Sequence, residues 1–143
     1  VSILVQNGVI NFGTVDLGVT CVNSTAIDVQ NNGNARSEWK IEITVDFANW
    51  TNVDTTAALG QDEYRLSAMA YDDGATGPAI SDFTISEASV VVSDGASDTM
   101  FGGDLIEPLE QRDLYFRLEM PNTVTANGSS TKTMTVTLNA SIQ

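Results

Sequence analysis

Apolar and polar residues alternate with a period of two along much of the chain. Within residues 39–46 every second residue is apolar, and the residues between them are charged or threonine. The same alternation returns in residues 114–120 and 131–142, and threonine occupies most of the polar positions of the last stretch. A period of two places alternate side chains on opposite faces of a β-strand. These three segments are therefore predicted to be strands with one buried and one solvated face.

Shorter apolar stretches predict further strands, and turn residues separate them. These stretches are residues 1–5, 9–12, 25–31 and 63–70, with an interrupted stretch at 83–92. Pairs of asparagine or aspartate with glycine lie between them and supply the positive φ angles that tight turns need. Because a turn at 31–34 joins segment 25–31 to segment 39–46, we expect these two to be neighbouring antiparallel strands. A short helix is expected at 57–62 or at 106–112.

The set of segments predicts an all-β fold. About eight short strands with no alternating strand–helix rhythm favour a two-sheet antiparallel β-sandwich of immunoglobulin-like type, with a jelly-roll-like variant as the alternative. The chain has 143 residues, which is the length of one domain. We therefore predict one β-sandwich domain, residues 1–143, in which residues 1–12 are a candidate donor strand.

The composition excludes several kinds of chemistry. The chain contains no histidine and one cysteine, Cys21, so catalytic triads, the usual zinc sites and internal disulfides are not expected. Six basic residues stand against 19 acidic ones, and the net charge is −13. Such an anionic surface repels nucleic acids and anionic lipids. The sequence predicts neither an enzyme nor a nucleic-acid-binding protein. Cys21 is interpreted as a small buried thiol, with an intermolecular disulfide as the alternative.

The first residues predict an exported protein. The chain starts at Val1 and contains neither a basic and apolar leader nor an apolar run long enough to cross a membrane. We interpret it as a mature chain that remains after removal of a signal segment and does not insert into a membrane. An extracellular or cell-surface location is the corresponding expectation.

Carboxylates are the abundant reactive groups, and they favour a hard cation over a catalytic pair. Calcium binds several oxygen ligands from flexible loops. Asp72 and Asp73 lie in one predicted loop, and Asp94 and Asp98 in another. A structural calcium ion that joins these loops is one hypothesis, and the alternative is that the aspartates only cap turns. No other cofactor is expected.

Four Asn-X-Ser/Thr sequons predict N-linked glycans on an exported chain. They begin at Asn23, Asn49, Asn127 and Asn139. Asn23 and Asn127 are expected in loops and Asn139 on the outer face of the last strand, where a glycosyltransferase would reach them.

The connection at residues 47–61 carries Trp50, for which two interpretations are open. The ring is either a lid over the end of the core or an exposed surface for a sugar or a neighbouring subunit. A secreted module that binds carbohydrate or another surface partner is the alternative function, and it would use Trp50 and Tyr71. Tyr115 is predicted to face outward from its strand.

The N-terminal stretch is strongly apolar and strand-forming. Packed into its own sheet it is the first strand. Packed into a neighbour's sheet by β-strand addition, it would join copies of the chain head to tail into a homopolymer. The candidate interface residues are Val1, Ile3, Val5, Val9, Ile10 and Phe12.

Two motifs resemble those of a known group of proteins. Residues 10–18 read INFGTVDLG and residues 27–34 read IDVQNNGN. They resemble the I-x-F-G-x-V-x-L-G and I-x-V-x-N-x-G-N opening of exported immunoglobulin-like β-sandwich proteins of bacteria and archaea. Proteins of this character include the TasA-like biofilm-fibre proteins and the archaeal bundling pili, which exchange N-terminal strands. The resemblance implies a structural subunit of an extracellular filament, without cofactor chemistry.

Overall fold

The computed structural model describes residues 1–72, 74, 77–83, 90–91, 98–99, 104–125 and 131–143. Within these residues the chain forms ten β-strands, one turn of 3₁₀-helix at Ile80–Asp82 and no α-helix. The prediction of an all-β fold is confirmed. The strands are β1 (Ile3–Gln6), β2 (Thr20–Val22), β3 (Ile27–Asn31), β4 (Ser37–Val45), β5 (Thr51–Asn52), β6 (Glu63–Asp72), β7 (Val90–Val91), β8 (Asp98–Thr99), β9 (Gln111–Glu119) and β10 (Thr135–Ile142).

The larger sheet, sheet A, is built around the pair of β6 and β9. These two strands are antiparallel from Arg65 opposite Glu119 to Asp72 opposite Arg112. On its other edge, β9 pairs with β3 near its start and with β2 near its end, while β1 extends the sheet beyond β3. Strands β5 and β7 pair with β6, and β5 is parallel to it.

The smaller sheet, sheet B, has the order β10, β4, β8. Strands β10 and β4 are antiparallel along the whole of β10, from Thr135 opposite Val45 to Ile142 opposite Ser37. The alternation predicted for both segments is confirmed, because every second residue from Ser37 to Ile43 is buried. The threonine-rich positions of β10 lie on its more exposed face.

The main core lies between the two sheets. Its centre is formed by fully buried side chains of β4 and by inward residues of β6 and β9, namely Trp39, Ile41, Ile43, Leu66, Ala68, Leu114, Phe116 and Leu118. At one end, Trp50 is buried against Phe47 and Tyr64, with 5.6 Å between the ring centroids of Trp50 and Phe47. The interpretation of Trp50 as a lid over the core is confirmed.

The outer face of sheet A is covered as well. Tyr115 does point away from the main core, as predicted, but it is buried there against Met69 and Phe83. Gly77 lies against the Tyr115 ring so closely that a Cβ atom would stand 2.8 Å from it. Sheet A therefore buries both faces of its central strands.

The predicted pairing of segments 25–31 and 39–46 is wrong, because β3 belongs to sheet A and β4 to sheet B. The buried Asn31 side chain holds the connection in this course. Its Nδ2 donates to the carbonyls of Ala35 and Ile106, both at 2.9 Å, and its Oδ1 accepts from the Gly33 N–H. These bonds carry the chain from one sheet to the other instead of closing a hairpin.

Two further features of the structure differ from the expectations. Neither 57–62 nor 106–112 is helical, and Leu109 has a positive φ of 69° that interrupts any helix there. Strand β2 was not predicted, since three residues are too few to show a period of two. Of the predicted stretch 83–92, the structure describes Phe83 and the two residues of β7.

Candidate subunit-interface groove

Strand β1 lies at the edge of sheet A and is paired on one side. It is antiparallel to β3, from Ile3 opposite Asn31 to Gln6 opposite Asp28. Ile3 packs against the core, but Leu4 and Val5 remain 43% and 42% exposed. The isolated chain thus retains its first strand, and it does so mainly through backbone hydrogen bonds.

The predicted strand at 9–12 does not form. Asn7 has a φ of 52° and ends β1, and the Val9 N–H donates to the Asn7 carbonyl at 2.6 Å in a tight turn. From Ile10 to Val15 no backbone hydrogen bond reaches any described strand. Ile10 and Phe12 touch the core with their side chains alone. Residues 8–17 therefore lie over the sandwich without belonging to either sheet.

An apolar groove of about 920 Å³ runs beneath this segment, between the two sheets. Its walls are inward side chains of both sheets, which elsewhere close the core. Residues 8–17 line one side and residues 131–134 another. The lining from the sheets includes Val29, Ile41, Leu66, Phe116, Leu118 and Leu138.

Strand β10 borders the groove with an unpaired edge. It is the end strand of sheet B and pairs with β4 on one side, and no strand in the described part of the chain pairs with its other side. Met134, Val136 and Leu138 line the groove from this strand and from the residue before it. An edge strand offers free backbone N–H and C=O groups. The groove thus combines an apolar floor with hydrogen-bonding groups at its rim, as in sites of β-strand addition.

Trp50 lines the groove with a buried donor that has no acceptor. Its indole Nε1 makes no hydrogen bond to any described residue, although the side chain is buried. Lys132 Nζ lies 5.2 Å from the ring centroid and donates to the Ala48 carbonyl at 2.8 Å. A buried donor without a partner costs about 1–3 kcal/mol.

Trp50 and Tyr71 do not form an exposed binding platform. The Trp50 ring is buried, and Tyr71 is half-buried with its ring edge-to-face against Tyr115, 6.1 Å between centroids. The alternative function as a carbohydrate-binding module therefore lacks the two rings on which it was based.

An ion cluster on the outer face of sheet A was not predicted. The side chain of Arg65 is buried, and its Nη1 lies 3.1 Å from Glu119 Oε2. Arg65 also donates to the Ala57 carbonyl. Arg117 shares the same carboxylate at 3.3 Å. The alternation of β6 and β9 placed these residues on the outer face, but only the three-dimensional structure shows that this face is covered. The cluster fastens the connection before β6 to the sheet.

Of the four aspartates considered for calcium, Asp72 forms an ion pair with Arg112, 2.5 Å between Oδ1 and Nη1. Asp98 begins β8, and Asp73 and Asp94 are outside the described residues. Within the described ranges, no cluster of three or more metal-ligating side chains occurs. The calcium hypothesis stays a prediction.

The sequons differ in accessibility. Asn23 was expected to be reachable but is buried, since its Oδ1 accepts from the Phe116 N–H at 2.6 Å and its Nδ2 donates to the Thr25 carbonyl. Its amide is thus occupied in holding β9. Asn49 and Asn139 are exposed, and Asn127 is outside the described residues.

Cys21 is half-buried in β2 with its side chain against the core. Burial raises the pKa of its thiol. The thiol is therefore protonated at neutral pH, and the thiolate is the reactive form.

Comparisons with protein-family models, curated proteins and solved structures found no match to the chain. No helix in the described part of the chain has the length and hydropathy to span a bilayer. Within the described residues, the fold and the groove together define the class: an all-β protein of two sheets with an apolar groove beneath residues 8–17 and beside an unpaired strand edge.

Proposed function

We propose that the chain is a structural subunit of an extracellular fibre, in which the N-terminal strand of one copy fills the groove of the next copy. The observation that carries this proposal is the groove itself. Among the described residues, it has an apolar floor and an unpaired strand edge, and the segment above it makes no backbone hydrogen bonds to either sheet. A groove of this kind accepts an extended apolar segment by β-strand addition.

The N-terminal strand of a second copy suits the groove because it gains burial there. Leu4, Val5 and Val9 are 43%, 42% and 85% exposed when the strand stays with its own sheet. Full burial of such a side chain contributes about 1.5–3 kcal/mol. Strand exchange replaces backbone hydrogen bonds within one copy by equivalent hydrogen bonds between copies. The additional burial of these apolar side chains therefore favours exchange over retention of the strand.

The chain also has the freedom to release the strand. Gly13 and Gly18 have φ angles of 70° and 69°, which glycine adopts without strain. The Gly18 N–H donates to the Pro121 carbonyl at 2.9 Å and anchors the chain to the sandwich. Residues 7–17 can therefore swing outward as a hinge while β2 stays in sheet A.

Trp50 supplies a way to detect an occupant. Its indole N–H lacks an acceptor next to the groove, and the backbone carbonyls of an incoming strand are acceptors of the right kind. Trp39 is an internal reference, because its indole N–H is buried and already donates to the Ser37 hydroxyl at 3.0 Å.

The experiment adds a synthetic peptide of residues 1–12 to the ¹⁵N-labelled full chain. We expect the indole N–H resonance of Trp50 to shift and its hydrogen exchange to slow, while Trp39 is unchanged. A peptide with Ile3→Asp and Val5→Asp is the matched control and should have no effect. If neither indole responds to the natural peptide, the groove does not accept this strand.

Assembly of the full chain tests the same proposal without a peptide. The variant Val5→Asp should form no fibres in electron micrographs, because a charge would enter the apolar groove. Its melting temperature should fall only slightly, since Val5 is 42% exposed at the edge of the sheet in the monomer. The control is Gln6→Asp, a polar position in the same strand. Equal fibre formation by all three chains would contradict the proposal.

A further inference from the structure

The ion cluster on the outer face of sheet A contains several buried polar atoms that make no hydrogen bond. Within the part of the chain that the structure describes, six buried side-chain polar atoms lack a partner, and four of them belong to Arg65, Ser67, Arg117 and Glu119. These residues are adjacent, because β6 and β9 place Arg65 opposite Glu119 and Ser67 opposite Arg117. Buried polar groups almost always have partners in proteins. Their concentration at one place indicates a bound ligand rather than isolated defects of packing.

Direct contacts join these side chains into one cluster. Glu119 bridges the two arginines, since its Oε2 lies 3.1 Å from Arg65 Nη1 and its Oε1 lies 3.3 Å from Arg117 Nη1. Side chains directly opposite each other on antiparallel strands have Cβ atoms about 4.5–5.5 Å apart. The Ser67 side chain therefore lies next to that of Arg117.

The cluster lacks negative charge. Two guanidinium groups share one carboxylate, which leaves one positive charge on a face where Arg65 is 5% exposed and Ser67 is fully buried. Three of the four atoms without a hydrogen bond can donate, namely Nε of both arginines and the Ser67 hydroxyl. The fourth, Glu119 Oε1, has its charge compensated by Arg117. A buried charge without a counter-charge, like a buried donor without an acceptor, is unfavourable.

We propose that this cluster binds one small anion, chloride, which accepts hydrogen bonds from Nε of both arginines and from the Ser67 hydroxyl. The anion balances the remaining positive charge and satisfies the three donors together. A monatomic ion fits better than an oxyanion, because the Ser67 side chain is fully buried and leaves little room. The site lies on the face of sheet A opposite the groove, since Leu66 and Ala68 face the main core. It needs no second copy of the chain.

A bound chloride also affects the two connections that cover this face. Arg65 donates to the Ala57 carbonyl, and Arg117 Nη1 donates to the Phe83 carbonyl at 3.3 Å. An anion that orients both guanidinium groups therefore holds both connections against sheet A. Because it binds the folded chain and not the unfolded one, it raises the stability as its concentration rises.

The test compares the melting temperature of the full chain in sodium chloride and in sodium gluconate at equal ionic strength. Gluconate is too large for a buried site, so a general effect of salt is the same in both solutions. We expect the melting temperature to be several degrees higher in chloride. The full chain should also broaden the ³⁵Cl resonance, because a bound ion tumbles with the protein.

The variant Arg117→Gln should lose both effects. The matched control is Arg112→Gln, which removes the same charge from the other end of β9, where Arg112 pairs with Asp72 and Glu110. This control should keep both effects. The variant Ser67→Ala removes one donor without a change of charge and tests the site even if Arg117→Gln does not fold. We expect it to lose at least half of the rise in melting temperature that chloride produces.

Three results would overturn the inference. Equal melting temperatures in the two salts, with an unbroadened ³⁵Cl resonance, would mean that water rather than an anion satisfies these donors. A chloride effect that Arg117→Gln and Ser67→Ala retain in full would place the ion elsewhere. Stabilisation by sodium sulfate and not by sodium chloride would mean that the cluster binds an oxyanion instead.

Discussion

Strands β9 and β1 belong to the same sheet and are both apolar, yet they differ in pairing and in burial. Strand β9 has neighbours on both edges and buries both faces, with Phe116 against sheet B and Tyr115 beneath the outer cover. In the described part of the chain, strand β1 has one neighbour, and it leaves Leu4 and Val5 more than 40% exposed. Position within the sheet, rather than apolar content, therefore decides how much a strand contributes to stability. A strand that contributes little can be released without unfolding the rest.

The largest effect is expected where β9 faces the main core. Phe116 is buried among the inward side chains of both sheets. The change Phe116→Ala should lower the free energy of unfolding by about 3–5 kcal/mol, because the cavity cannot collapse fully. Guanidinium titration measures this value. A loss below about 1 kcal/mol would contradict the central role of β9.

A change in the residues that cover the outer face of β9 should lower the free energy of unfolding less. A methyl group at Gly77 would overlap the Tyr115 ring, which would have to move. We expect Gly77→Ala to cost about 1–3 kcal/mol. Gly8→Ala is the matched control, since its Cβ would stand at an ordinary 3.5 Å from Val5. Equal stability of the two variants would mean that the cover yields freely.

The change Leu4→Ala in β1 should cost less than about 1 kcal/mol, because the side chain is half in solvent already. The comparison is Val29→Ala in the adjacent strand β3, where the side chain is fully buried and the loss should be clearly greater. If the two losses were equal, β1 would be an integral part of the core and could not be released cheaply.

The smallest effect is a dependence on alkaline pH that comes from β9 and its neighbour β2. Burial raises the pKa of the Cys21 thiol, and burial together with Asp113 and Asp28 raises the pKa of the Tyr115 hydroxyl. The folded chain thus keeps protons that the unfolded chain releases, so stability falls as the pH rises above about 8.5. The change Cys21→Ala should flatten the first part of this fall in urea titrations. An identical pH profile would show that Cys21 does not contribute.

The sequence predicts the long strands well because their alternation survives in the structure. Strands β4, β9 and β10 lie where the period of two placed them. What it cannot predict is the pairing between strands. The side chain of Asn31, bonded to Ala35 and Ile106, sends β4 into the other sheet, and a turn motif alone carries no record of that distant partner.

The candidate groove, too, could be predicted only in part from the sequence. Its wall residues, such as Ile41 and Leu118, are recognisable as core positions from their spacing. That a groove remains between the two sheets depends on β10 being an edge strand in the described part of the chain and on the failure of residues 9–12 to pair. The burial of Tyr115 is likewise non-local, because residues 77–83 supply its cover.

The ion pairs have a consequence for a fibre as a polyelectrolyte. All four arginines are paired with carboxylates within the chain, so they offer little to a neighbouring copy. A chain of this length is about 37 Å across, and a net charge of −13 per subunit then gives about one negative charge every 3 Å of fibre. Double-stranded DNA carries one per about 1.7 Å and condenses counterions. A fibre of these subunits would also draw a dense layer of cations, and its growth would accelerate as the ionic strength rises.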